Sequence, residues 1–147
     1  MNDTVIRKSL CAAATSLAIL AAPSPSNAGD ANPLVGSWTW TRPQNKCTET
    51  YTYRRDGTYS TVSGAERTEG TYTLSAEPDA AGFYEYADHV TKDFGGRDCA
   101  DSDADITGEE AHLFIAIHAS GEQILICFEP GFDKCFGPLR KVGEKWL

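Results

Sequence analysis

The chain has 147 residues, five cysteines and a formal net charge of −8, with 21 acidic against 13 basic side chains. That length holds one domain with a core of its own and leaves no room for two. The acidic excess speaks against nucleic acid and anionic membrane surfaces, whose phosphates would repel it, and leaves a small molecule or a basic protein as the expected partner.

At the N-terminus, Arg7 and Lys8 precede an apolar run over 10–22, and Ser26-Asn27-Ala28 follows with small residues at the two positions a signal peptidase reads. This order predicts a cleavable secretory signal over 1–28. The run is too short to span a bilayer, which needs about 20 residues. Cys11 lies at the start of the run, so a lipid anchor is not expected. The expected product is a periplasmic or secreted monomer with no membrane insertion after cleavage: a lead-in over 29–33, then a domain over 34–147.

Cleavage leaves Cys47, Cys99, Cys127 and Cys135. An even number in an oxidising compartment predicts two disulfides, with three connectivities open. Cys47–Cys99 with Cys127–Cys135 is favoured, because the second would tie two neighbouring strands. No Cys-x-x-Cys pair occurs, so zinc is not expected.

From residue 34 onward, strands follow one another. Residues 34–40 alternate large apolar and small polar side chains, and 47–54 continue with Glu49, Tyr51 and Tyr53 on one face. Asp56-Gly57 is a tight turn, since glycine accepts the positive φ that hairpins require. The returning strand covers 58–62, Ser63-Gly64-Ala65-Glu66 is the next turn, and further strands are expected over 70–74 and 83–90. A Gly- and Asp-rich stretch runs to Glu110. Strands over 112–119, 123–128 and 135–142 complete the chain, with Pro138 at an edge or bulge. About eight short strands joined mostly by tight turns predict an all-β, single up-and-down antiparallel barrel, a closure that removes exposed sheet edges.

Gly36-Ser37-Trp38 opens the first strand and Arg140 sits in the last. That pairing resembles the lipocalins and their wider relatives, the calycins, and Tyr53-Arg54-Arg55-Asp56-Gly57-Thr58-Tyr59 is similar to turns of small bacterial lipocalin-like domains. The resemblance spans roughly 33–142. It implies a lipocalin-like barrel in which Gly36 and Trp38 begin the first strand and Arg140 packs on the indole at the closed end. The biotin-contacting set of avidins is not visible, so biotin is not implied.

Trp40, Tyr51, Tyr53, Tyr72, Tyr84 and Tyr86 form a candidate wall for a small, partly apolar ligand inside the barrel, although any small β core needs such residues as well. Asp101, Asp103 and Asp105 open with the spacing of a calcium loop, but Ile106 stands where glycine is wanted and His112 where the bidentate glutamate belongs. Calcium is the one cofactor this spacing admits; otherwise none is expected. The histidines 89, 112 and 118 complete no catalytic motif, so binding is expected in place of catalysis. The alternative expectation is a protein-binding inhibitor or immunity-type module that meets a periplasmic or secreted enzyme through the acidic loop 98–110.

Overall fold

The computed structural model describes residues 32–143. The expected signal over 1–28, most of the lead-in and the last four residues lie outside the described residues. Eight strands follow in order: β1 (Gly36–Thr41), β2 (Thr48–Tyr53), β3 (Thr58–Ser63), β4 (Glu66–Leu74), β5 (Phe83–Asp93), β6 (Glu110–Ile117), β7 (Gln123–Cys127) and β8 (Cys135–Lys141). Each pairs antiparallel with the next, and β8 closes on β1 through Trp38↔Lys141 and Thr39↔Arg140. The result is the closed up-and-down barrel that the strand rhythm predicts. Among the described residues no helix is long and apolar enough to cross a membrane.

Both favoured disulfides are present. Cys127–Cys135 joins directly opposed positions of β7 and β8, and Cys47–Cys99 ties the segment before β2 to the loop after β5, 52 residues away. Such bonds belong to an oxidising environment. Pro138 lies in β8 where the pairing with β7 shifts register, as a proline without an N–H must.

The largest boundary differences from expectation are in β4 and β5. β4 starts at Glu66, four residues early, because Glu66-Arg67-Thr68-Glu69 is polar on both faces and carries no alternation to read. The turn is tighter than expected, and Ser63 already pairs with Glu66. β5 likewise runs on to Asp93.

At the closed end Trp38 is fully buried and its Nε1 donates to the Leu34 carbonyl at 2.7 Å. The cation over the indole is Lys141, with Nζ 5.3 Å from the ring centroid. Arg140 is exposed and corrects the expected pairing. Directly opposed residues share a face of the sheet, and Trp38 opposes Lys141; Arg140, one residue along, points outward. Gly36 lets the lysine through: a Cβ there would stand 3.1 Å from Lys141 Cε.

Above this layer the barrel is solid. Tyr53 meets Tyr72 edge-on at 5.0 Å and Tyr86 at 6.0 Å, and Ile115, Ile124, Ile126 and Leu139 complete the core. The Tyr72 hydroxyl donates to the Arg54 carbonyl at 2.8 Å, so its polar end has a partner. Tyr59 lies across Gly70, where a Cβ would fall 2.6 Å from the ring and collide with the His89 carbonyl. Gly70→Ala is therefore expected to destabilise the barrel by about 3 kcal/mol, read as a lower urea midpoint; overpacking against backbone cannot relax by a rotamer change.

Candidate functional site: a capped cavity at the open end

The other end of the barrel is built differently. Inward positions there carry Glu49 and Tyr51 on β2, Thr61 and Ser63 on β3, Glu66 and Thr68 on β4, and Asp88 and Val90 on β5. Register sets them in rows: Glu49 opposes Ser63, which opposes Glu66; Tyr51 opposes Thr61, which opposes Thr68. Small hydroxyl side chains cannot fill the space that tyrosines fill lower down. What remains is a cavity of about 380 Å³, lined also by Arg42, Tyr59, Asp98, Ala100, Ile106 and Glu109. That volume falls within the range of small-molecule sites.

The acidic loop is the cap of this cavity. Cys99 is buried and disulfide-bonded to Cys47; its N–H donates to Ser63 Oγ at 3.0 Å, and Asn45 Nδ2 donates to its carbonyl at 2.8 Å. Asp98 folds the turn by accepting the N–H groups of Ala100 and Ser102. The far end of the loop returns to β5, where the Val90 N–H donates to the Glu109 carbonyl at 2.9 Å. The two candidate regions of the sequence, barrel interior and acidic loop, thus meet at one place.

Six acidic residues line the cavity, and the three on β2, β4 and β5 stand in different states. Glu49 accepts from the Tyr51 hydroxyl at 2.6 Å and from Ser63 Oγ at 3.4 Å, with Arg42 Nη1 3.8 Å away. Asp88 accepts from the Tyr86 hydroxyl at 2.8 Å; burial raises its pKa above the ordinary range, against the pull of that hydrogen bond. Glu66 is 8% exposed, and among the described residues no donor and no cation reaches its carboxylate. Burial, with the nearby Asp93, Asp98 and Glu49, holds its pKa above that of a free glutamate. Tyr51 is pushed far above the ordinary tyrosine range by burial and by Glu49, so it stays a donor.

Of the six aromatic residues expected to form a ligand wall, only Tyr51 lines this cavity. Tyr53, Tyr72 and Tyr86 are packed against one another in the core. Trp40 packs on Phe136 at 5.3 Å, and Tyr84 lies partly buried at the core's edge. The three expected calcium ligands do not converge. Asp101 and Asp103 both turn to Arg97, at 3.0 and 4.0 Å, and Asp105 accepts from the Thr107 N–H. Among the described residues no group of three or more His, Cys, Asp or Glu side chains is arranged to hold a metal ion. Glu85, His112 and His118 are exposed.

Residue pattern alone missed Glu66, Thr68 and Asp88, since polar residues in strands are read as outward. The signal that could have found Glu66 is the two-residue Gly64-Ala65 turn: it pairs Ser63 with Glu66, and Ser63 shares its face with Glu49. Comparison of the chain with protein-family models, with curated proteins and with solved structures finds no match.

Proposed function

We propose that the protein is an exported lipocalin-like binding protein, periplasmic or secreted, that holds a small, partly apolar ligand in the capped end of its barrel. The observation that carries this reading is the cavity itself. Most of the barrel is filled by packed side chains, yet one end is kept open, lined by polar groups and covered by a loop that a disulfide pins in place. A domain that needed only a stable core would gain by filling that space. Val90, Ile106 and the tyrosine rings supply apolar wall; the hydroxyls and carboxylates supply orientation. The site lies one level above the aromatic cluster, around Tyr51 and Tyr59, so the ligand-contacting set differs from the one expected from sequence.

A second reading is supported by the outer side of the cap. Asp101 and Asp103 are about four-fifths exposed there, as a contact surface for a basic secreted or periplasmic enzyme requires.

Native mass spectrometry of protein purified gently from its export compartment, without detergent or chelator, separates the two. The expected result is an added mass of a few hundred daltons or less that leaves on denaturation. A clean apo mass from every preparation would overturn the ligand reading and transfer the case to the acidic surface.

A further inference from the structure

We infer that the capped cavity selects a small organic cation, an amine whose ammonium group is received by Glu66. This inference rests on the ligand-binding reading above and names the chemistry of the ligand.

The Glu66 carboxylate is unpartnered. A side chain at this exposure is normally ion-paired or hydrogen-bonded, and the Glu66 carboxylate instead opens onto the cavity. Here Glu49 takes the Tyr51 and Ser63 hydroxyls and stands nearest Arg42, and Asp88 takes the Tyr86 hydroxyl, while Glu66 on the same wall is left open to the cavity. The charged groups that face it make the need for a cation greater: Asp93 from β5, Asp98 from the cap and Glu49 from β2 are all acidic. Among the described residues that line the cavity the one base is Arg42, whose Nη1 lies 3.8 Å from Glu49.

A metal ion does not suit this arrangement. It requires several convergent oxygen or nitrogen ligands, and among the described residues no such group exists. An ammonium is satisfied by one carboxylate, neighbouring hydroxyls such as Thr68 and Ser63, and aromatic rings, and Tyr51 and Tyr59 are in the lining. The loop favours a free small molecule over a lysine projecting from a folded partner, because Asp98, Ala100 and Ile106 form part of the cavity's own lining.

The pH dependence follows in sign. Above its raised pKa, Glu66 is charged and amine binding is complete; binding is lost as pH falls through that value. Without ligand the effect on stability is opposite: protonation favours the fold, and that gain disappears as pH rises through the same value.

The test is a matched series of phenethylamine, phenethyl alcohol and phenylacetate, titrated into the disulfide-bonded protein and followed by amide chemical shifts. The amine is expected to move amides around Glu66, Thr68 and Asp98 and to bind at least about tenfold tighter than the alcohol, with the acetate weakest. Glu66→Gln should bring amine and alcohol within about threefold of each other and flatten the pH profile of amine binding, while its thermal midpoint stays the same or rises. Equal affinity for amine and alcohol in the wild-type protein would overturn the cation preference and leave cavity binding standing. No shift at the cavity with any of the three would overturn both. The wild-type comparison holds even if the variant folds poorly.

Discussion

Replacing Cys47 and Cys99 together by alanine is expected to lower stability by about 4 kcal/mol, the loop-closure entropy of a cross-link spanning 52 residues. Removing Cys127 and Cys135, only eight residues apart, should cost about 2.5 kcal/mol on the same reasoning. Denaturant midpoints at constant m-value measure both. The two variants should differ in place as well as size. Cys99 anchors the cap, and the contacts beside it are single hydrogen bonds: Cys99 N–H to Ser63 Oγ and Asn45 Nδ2 to the Cys99 carbonyl. Without the bond the cap should open locally, and the amides of residues 97–102 should exchange faster than those of the strands. A loss below about 1 kcal/mol with unchanged exchange there would show that hydrogen bonds alone hold the cap, and the disulfide would lose its role in shaping the cavity.

The sequence pattern made the barrel legible where side chains alternate cleanly. β1, β2 and β3 carry Trp38, Tyr51, Tyr53 and Tyr59 at inward positions of a two-residue alternation, and Asp56-Gly57 marks the turn between β2 and β3. The disulfide pairing was open in principle and legible in tendency, since Cys127 and Cys135 flank one hairpin. The division of the interior was not legible. Tyr51 and Tyr53 are two residues apart on one strand and one face, yet one borders a cavity and the other is packed on three sides. The difference comes from partners distant in sequence: Tyr53 meets Tyr72 and Tyr86, whereas Tyr51 opposes Thr61, which in turn opposes Thr68. Arg140 and Lys141 make the same point at the closed end. Both are cations in the last strand, and only pairing register decides which one reaches Trp38. The acidic loop read as a calcium-like spacing or a protein-contact segment; that part of it lines the barrel's cavity depends on Cys99 reaching Cys47, 52 residues away, and on the fold that brings them together.

Tyr53→Ala is expected to destabilise the barrel by about 3–5 kcal/mol, the cost of removing a large buried aromatic side chain, against a total of roughly 5–15 kcal/mol for a domain of ordinary stability. Tyr53 is 3% exposed and touches Tyr59, Tyr72 and Tyr86, so its loss leaves a hole that three rings must tilt to fill. Tyr84→Ala, at the edge of the core, should cost far less. The contrast bears on function as well as folding. If Tyr53 were a ligand-contacting wall, its removal would enlarge a hollow interior at small cost to the fold. If it is packing, the fold suffers first and the capped cavity, one level away, keeps its lining. Alkaline titration reports on the same question. Burial holds the Tyr53 and Tyr86 phenols well above the ordinary range, so they contribute stability below about pH 10 that is lost as pH rises above it. Their ionisation should therefore appear in the ultraviolet only together with unfolding. A Tyr53→Ala loss under about 1 kcal/mol, or phenolate absorbance from a still-folded barrel, would show that this level of the interior is hollow and reached by water, and would return the ligand site to the aromatic cluster.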